Sequence, residues 1–393
     1  MSSPDVVVVG AGVVGAACAF AAARAGLSVT VVDRGPVAGG TSGAGEGNLL
    51  VSDRPPGPEL ELGLLSVRLW RELAADLGQA IEYEAKGGLV VAEQESGMEA
   101  LGGFAARQRA AGVRALPVPA GDLAGHEPHL APGLAGGMFY PDDAQVQPML
   151  AAAHLLRAAR ERYGARVMTG TTVTGFLTSA GRASGGPGTA GRVAGVRTST
   201  GDIAAGAVIN AAGTWAGEVA ALAGVALPIQ PRRGFVLVTE PLPVLIRHKV
   251  YAAEYVANVA SDAAGLETSA VVEGTRAGTV LIGASRERVG FDRTVSLPVL
   301  RRLARQAIGL FPVLAGVAAI RTYCGFRPYS PDHLPVIGPD PRVPGLLHAG
   351  GHEGGGICLS TATGHLLAQV LTGATLDVDL APFRPERFAG EAA

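Results

Sequence analysis

Residues Gly10-Ala-Gly12-Val-Val-Gly15 carry the first pattern with chemical content. They follow the β-branched run Val6 to Val9 and open a stretch of helix formers, Ala16 to Arg24, which Gly26 closes. A second apolar run, Leu27 to Val32, ends on Asp33. Strand, glycine turn, helix, strand and acid, in that order, are the parts of a dinucleotide-binding unit. Gly10 permits the tight turn, and Gly12 lets the backbone approach a pyrophosphate with no Cβ in the way. Gly15 lets the helix pack closely on the strand. The helix N-terminus offers unpaired N–H groups and the positive end of its dipole to phosphate. Asp33 is placed to accept a hydrogen bond from a ribose hydroxyl. The pattern alone does not separate NAD from FAD.

Two further glycine clusters add to it. Gly39-Gly40-Thr41-Ser42-Gly43-Ala44-Gly45-Glu46-Gly47-Asn48 joins small hydroxyls to five glycines. Its N–H groups and the Thr41 and Ser42 hydroxyls can wrap a second side of a pyrophosphate and a ribityl chain; a plain surface loop is the alternative reading. Far along the chain, the apolar run Leu346 to Gly350 leads through Gly351 to Gly356 into a helical stretch, Ile357 to Leu371, ended by Gly373. A second strand–glycine–helix unit there predicts a discontinuous cofactor domain. His126-Glu-Pro-His129 lacks a third metal ligand and reads as a loop.

The elements that must position these residues follow from periodicity. Glu59 to Leu77 reads as an amphipathic helix with Trp70 inward, Ile81 to Glu93 as a hairpin about Gly87-Gly88, and Pro148 to Tyr163 as a helix begun by its proline. Ala165 to Thr169, Thr171 to Thr174 and Arg192 to Arg197 read as a β-meander, with the low-complexity Ser179 to Gly191 between two arms. The meander leads into a strand ending Val208-Ile-Asn-Ala-Ala-Gly213-Thr-Trp215. Strands from Gly234 to Glu240, Val271 to Glu273 and Val280 to Ser285, with a helix from Leu297 to Phe311, suggest an antiparallel lobe over residues 230–320. The expected fold is α/β: a discontinuous Rossmann-like domain over 1–85, 146–228 and 322–393, and an α+β antiparallel-sheet substrate domain over 86–145 and 229–321.

Composition mainly excludes. Of 393 residues, 57 are glycine, about twice the usual share, yet no Gly-X-Y period runs through the chain. A hydrophobic fraction of 48% against 17% charged residues argues for a large core. A net charge of −2 without a basic run gives no footprint for nucleic acid. All but Lys86 and Lys249 of the 32 basic residues are arginine. Cys18, Cys324 and Cys358 have neither zinc nor disulfide spacing, which suits a reducing cytoplasm. The apolar run near the N-terminus is preceded by Asp5 and interrupted by glycines, so it reads neither as a signal peptide nor as a membrane span.

The chain resembles the FAD-dependent D-amino-acid oxidase/glycine oxidase superfamily over essentially its full length. The likeness rests on Gly10 to Gly15 with Asp33, Thr41-Ser42, Asn210 to Trp215, Gly325-Phe-Arg327-Pro, Pro331-Asp332 to Gly338, and Gly350-Gly-His352 to Gly364. The run Arg321 to Gly338 and Ile282 to Asp292 look closest to the β-subunits of opine oxidases, D-hydroxyproline dehydrogenases and hydrogen cyanide synthase. The resemblance implies an FAD enzyme that oxidises the Cα–N bond of an amino or imino acid to an imine by hydride transfer to flavin N5. It implies that Arg327 grips the substrate carboxylate, a task suited to a planar, permanently charged fork. By the same likeness Gly351, Gly354, Gly355, Gly356 and Ile357 face the flavin, His352 and Glu353 line the substrate pocket, and Tyr251 and Tyr255 wall it. It further assigns Val13, Val14, Arg34, Glu46, Gly47, Asn48, Val173, Ala211, Ala212, Gly213 and Trp215 to the cofactor.

Departures from related enzymes sharpen the expectation. Monomeric sarcosine oxidases carry a lysine for reaction with oxygen where this chain has Leu281, and a flavin-linking cysteine where it has Gly325, with Cys324 one residue away. Non-covalent FAD and weak oxidase activity are therefore expected, with oxygen, a quinone or a partner flavin as electron acceptor. Expected partners are a small carboxylate-bearing amino or imino acid and, in a hetero-oligomer, further subunits. The competing readings are an NAD(P)-dependent dehydrogenase and a non-catalytic flavoprotein subunit.

Overall fold

The computed structural model describes residues 3–179, 191–259 and 261–388; the interior of the low-complexity Ser179 to Gly191 segment lies outside the described residues. The chain divides into two compact units, Met1–Gly43 with Pro148–Pro231 and Arg327–Ala393, and Ala44–Gln147 with Arg232–Phe326.

In the first unit the run Val6–Val9 is a fully buried strand. It lies between Ala207–Asn210 and Val29–Val32, parallel to both, in the register Val6↔Ala207 and Val6↔Val29. Burial on both faces is why it reads as four consecutive valines rather than as an alternating pattern. Leu346–Gly350 extends the parallel sheet beyond Ala207–Asn210, and Val336–Pro339 closes that edge antiparallel. Arg166–Met168 forms the other edge, parallel to Val29–Val32, and so does not belong to the expected meander. The helix Pro148–Tyr163 ends at Gly164 (φ +72°), which returns the chain to the sheet edge. The meander is three-stranded, Ile203–Ala204, Arg192–Thr198 and Val173–Ser179.

The helix Val13–Arg24 is apolar around most of its circumference because it packs against both Pro148–Tyr163 and Gly356–Thr372. Gly364 makes one of these approaches close: a Cβ there would lie 2.5 Å from the Ala17 carbonyl oxygen. Val7, Val9, Val208 and Val336 from the sheet meet Val193 and Val196 from the meander in one apolar core.

In the second unit an eight-stranded sheet runs in the order Ala319–Tyr329, Gln230–Thr239, Val280–Arg286, Glu267–Gly274, Lys249–Ala252, Gly88–Ala92, Gly136–Tyr140, Leu116–Pro119. Its central pairs are antiparallel, except that Lys249–Ala252 runs parallel to Gly88–Ala92. The helix Leu297–Leu310 lays Val299, Leu300, Leu303, Ala307 and Leu310 on this sheet against Phe235, Val272 and Ile282. The expected hairpin at Ile81 to Glu93 does not form. Only Gly88–Ala92 is a strand, because Glu84 spends its backbone N–H and carbonyl on Gln145. Pro58–Leu77 is the expected helix, and Trp70 is fully buried. No helix among the described residues is long and apolar enough to cross a membrane.

Candidate functional site

The first unit gathers the predicted pyrophosphate turn. Gly10 has φ +115°, and a Cβ on it would lie 2.3 Å from the Ala211 carbonyl oxygen, so the turn and the end of Ala207–Asn210 touch backbone to backbone. A Cβ on Gly15 would lie 2.0 Å from the Gly10 carbonyl oxygen. Gly12 supplies no side-chain cap to the helix Val13–Arg24. Ser42 supplies it instead, accepting a 3.0 Å hydrogen bond from the Val13 N–H. Asp33 accepts 2.7 Å hydrogen bonds on one oxygen from the Ala11 N–H and on the other from the Gly35 N–H. The acid thus clamps the glycine turn to the second strand, and each oxygen retains a lone pair for a ribose hydroxyl.

Arg34, Thr41 and Trp215 meet around the same turn. The Arg34 guanidinium stacks over the Trp215 ring at 4.3 Å, and Gly40 lets the ring approach, a Cβ there lying 3.3 Å from it. A Cβ on Gly213 would lie 3.9 Å from the Thr41 hydroxyl oxygen. Val173 stands at the start of its strand, opposite Thr198, and packs partly buried against the core. Thr214 is buried, and its hydroxyl oxygen has no hydrogen-bond partner among the described residues. A glycine cradle that excludes side chains, the helix N-terminus at Val14, an acid at the second strand and an orphaned hydroxyl fit a dinucleotide.

The third glycine cluster turns out of Leu346–Gly350 into the helix Gly356–Thr372. Arg327 lies beside it: a Cβ on Gly354 would be 3.6 Å from Arg327 Nε. Glu353, at φ +46°, carries its carboxylate 2.8 Å from His333 Nδ1. His352 points inward, buried, with Nε2 3.0 Å from the Thr363 hydroxyl. Burial pushes its imidazole from 6.5 down to about 3, so the ring stays neutral. It is therefore placed to orient the turn. Beneath the strand, Asn210 Nδ2 meets His348 Nδ1 at 3.4 Å, and His348 Nε2 meets Asp340 at 3.1 Å, all three fully buried. Two bonds from the Arg342 guanidinium and the His348 contact, working against burial, hold the Asp340 carboxyl far below the usual carboxylate range. Sequence reasoning missed this chain; its signal was a histidine inside an apolar strand, which burial obliges to find partners.

The remaining predicted residues lie in the second unit. Asn48 Nδ2 donates to Glu46 at 3.0 Å, and the Gly47 N–H donates to Glu273 at 3.3 Å. Lys249, fully buried, places its ammonium 2.5 Å from Glu273 and 3.5 Å from Glu46. Desolvation opposes that charge, but the two carboxylates outweigh it and raise the Lys249 pKa. Tyr251 is also fully buried, its hydroxyl spent on Ser52, which in turn donates to Asp143. Its ring meets Tyr255 edge-on at 5.1 Å. Burial drives the Tyr251 phenol well above 10 and the Asp143 carboxyl up to about 7. Tyr251 thus supports a buried polar chain rather than presenting a free hydroxyl.

Compared with known proteins, residues 5–370 match the family model described as DAO, FAD dependent oxidoreductase. The chain is 31% identical to hydrogen cyanide synthase subunit HcnC of Pseudomonas aeruginosa, over 99% of this chain and 97% of that one. It is 31% identical to glycine oxidase of Geobacillus kaustophilus over 98% of both. The crystal structure of a glycine oxidase from that organism superposes with a TM-score of 0.86 over 98% of this chain and 99% of that one, at 29% identity. Iminodiacetate oxidase from Chelativorans sp. BNC1 gives a TM-score of 0.81 at 27% identity, over 97% of this chain and 98% of that one.

Proposed function

This chain belongs to the DAO family of FAD-dependent oxidoreductases, and from that premise we propose that it oxidises the Cα–N bond of an amino or imino acid to an imine. Glycine, D-hydroxyproline and an opine all present the required amine beside a carboxylate. The observation that carries the reading is the position of Arg327 against the Gly351 to Gly356 turn. A guanidinium beside a glycine turn offers a carboxylate a two-pronged, charged partner. Relatives that act by name on glycine and iminodiacetate support the same substrate class.

Gly10, Gly12, Val13, Val14, Gly15, Asp33, Arg34, Thr41, Ser42, Val173, Ala211, Ala212, Gly213, Trp215 and the Gly351 to Ile357 turn are the first-unit residues assigned to FAD. Glu46, Gly47 and Asn48 are those of the second unit. FAD, when bound, takes up the hydrogen and the electron pair that leave the Cα–N unit. The chain's own work is positional. Arg327 fixes the carboxylate, and the N-terminus of Gly356–Thr372 directs N–H groups and its dipole towards negative charge. His352, tied to Thr363, keeps that turn in place.

FAD is held non-covalently in this reading. A side chain at Gly325, where related enzymes attach flavin, would press to 2.7 Å from the Ala44 carbonyl oxygen, and burial raises the neighbouring Cys324 thiol. Leu281 in place of a lysine supports an acceptor other than oxygen. A relative that is one subunit of hydrogen cyanide synthase supports partner subunits here. The deciding experiment is a screen of amino and imino acids with a dye acceptor, run without air and in air. Turnover of a carboxylate-bearing amine that is faster with dye is expected; no turnover of any such compound sinks the proposal.

A further inference from the structure

In the first unit, one buried polar chain runs from the turn before Leu346–Gly350 to the end of Ala207–Asn210. Asn210 and His348 are register partners in these parallel strands, so their side chains leave the same face. Asn210 Nδ2 reaches His348 Nδ1 at 3.4 Å, and His348 Nε2 reaches Asp340 Oδ2 at 3.1 Å. Asp340 is tied in turn to the Arg342 guanidinium at 2.8 and 2.7 Å. At its other end the chain holds a loop. Asn210 Nδ2 donates to the Ala216 carbonyl at 2.8 Å, and the Ala212 N–H donates to Asn210 Oδ1 at 3.3 Å. Ala211 and Ala212 are the backbone against which Gly10 turns: a Cβ on Gly10 would lie 2.3 Å from the Ala211 carbonyl oxygen and 3.3 Å from Ala212 Cα.

Each link fixes the next. The Asn210 amide turns its nitrogen to the Ala216 carbonyl and its oxygen to the Ala212 N–H. That nitrogen therefore donates to His348 Nδ1, and the ring hydrogen is on Nε2, pointing at Asp340. The dependence runs both ways. Asp340, a carboxylate that only accepts, keeps the ring hydrogen on Nε2. A hydrogen on Nδ1 would draw the amide oxygen instead, and a reversed amide sets oxygen against the Ala216 carbonyl and nitrogen against the Ala212 N–H. Cohesion of the sheet does not account for the chain, because apolar side chains of similar volume often replace a buried ionic network without loss of stability. What the polar chain adds is a single conformation of the loop where the backbone leaves the sheet.

We propose that His348 and Asp340 are positioning residues for FAD: through the Asn210 amide they fix the Ala211 to Trp215 loop against the Gly10 turn. This role rests on the assignment of that loop to FAD in the function proposed above, and it is independent of the substrate. Neither residue needs to touch the cofactor, since both act beneath the loop.

The test is equilibrium dialysis of the holoenzyme at low temperature, which gives FAD affinity, with nitrogen NMR of the histidine rings. Circular dichroism at the same temperature checks that each variant is folded. In wild type the His348 hydrogen should be on Nε2; finding it on Nδ1 overturns the proposal. His348→Leu, of similar volume but without an acceptor for Asn210, should weaken FAD binding about tenfold. His348→Asn, whose oxygen can fall where Nδ1 stands, should recover most of that loss. Asp340→Asn can donate to Nε2 as well as accept, so it should populate both ring forms of His348 and weaken FAD several-fold. Wild-type affinity in His348→Leu or in Asp340→Asn overturns the proposal. So does an equal loss in His348→Leu and His348→Asn, which makes the chain a support of the fold alone. If His348→Leu does not fold, Asp340→Asn decides: affinity that falls as the Nδ1 form appears upholds the role, and unchanged affinity overturns it. Gly213→Val strains the loop directly, because Gly213 has φ +57°. Unchanged affinity there removes the loop from the FAD site and the proposal with it; lost affinity there beside wild-type affinity in His348→Leu removes the proposal only.

Discussion

His352 Nε2 lies 3.0 Å from the Thr363 hydroxyl, and Thr363 gives its only hydroxyl hydrogen to the Leu359 carbonyl at 2.8 Å. The imidazole must therefore be the donor, with its proton on Nε2. A buried ring held at about 3 stays neutral where the unfolded ring, at 6.5, takes up a proton. A depressed folded pKa gives stability that is present above pH 6.5 and lost as pH falls toward 3. Between pH 7 and 5 His352 should lower stability by about 2 kcal/mol. His352→Gln, which keeps a donor for Thr363, should remove that loss, as read from melting temperatures at the two pH values.

Asp143 predicts the opposite slope. Burial raises its carboxyl from 3.8 to about 7, against the pull of Ser52 and the Val51 N–H. A raised acid pKa stabilises the fold below pH 3.8, and that stabilisation is lost as pH rises through 7. From pH 5 to 7 the loss is about 2 kcal/mol. Asp143→Asn should abolish it, so its melting temperature climbs with pH over the range in which that of His352→Gln declines. Parallel curves for the two variants would refute both assignments.

What was legible in the sequence was local. Val6–Val9, the Gly10 turn and the helix stop before Gly26 are each written in a few consecutive residues, because a doubly buried strand and a positive-φ turn restrict residue type directly. Arg166–Met168 was misread because nothing within three residues says which sheet they join. The strand Gly88–Ala92 takes partners from Gly136–Tyr140 and Lys249–Ala252, so the Gly87-Gly88 pair suggested a hairpin that the topology overrules. Glycines 10, 12 and 15 pointed to a dinucleotide because a strand precedes them and a helix, a second strand and Asp33 follow within a few residues of one another. Arg327 entered only through likeness to a family, since one arginine among so many carries no local mark. The contact between Lys249 and Glu46 spans 203 positions and left no trace in either neighbourhood.

Gly10 and Ser42 should separate stability from cofactor retention. A methyl on Gly10 meets backbone at 2.3 Å in a conformation that alanine rarely adopts, so nothing flexible can yield. Gly10→Ala should melt several degrees lower and purify without flavin. Ser42→Ala removes one helix cap, worth about 1 kcal/mol, and should fold with weakened FAD affinity. Thermal melts and flavin absorbance per protein check both.

Acid precipitation should leave the flavin in the supernatant. A bulky residue at Gly325 would collide with Ala44, which removes the position from which related enzymes link the cofactor. Yellow colour in the washed pellet would show a covalent bond elsewhere.

Arg327 offers the most direct test of the substrate reading. Arginine and lysine carry the same charge, but only arginine presents two parallel N–H donors to a carboxylate. If the carboxylate is bound in the ground state and the transition state alike, Arg327→Lys should raise KM about tenfold and leave kcat within a few-fold. Arg327→Ala, which loses the charge as well, should raise KM by about a hundredfold or more. FAD content should be unchanged in both, because the assigned cofactor residues are retained. An amine lacking the carboxylate should be a poor substrate of wild type and be affected little by either change. Equal losses for substrates with and without a carboxylate would instead make Arg327 a support of the Gly351 to Gly356 turn, whose Gly354 lies against its side chain.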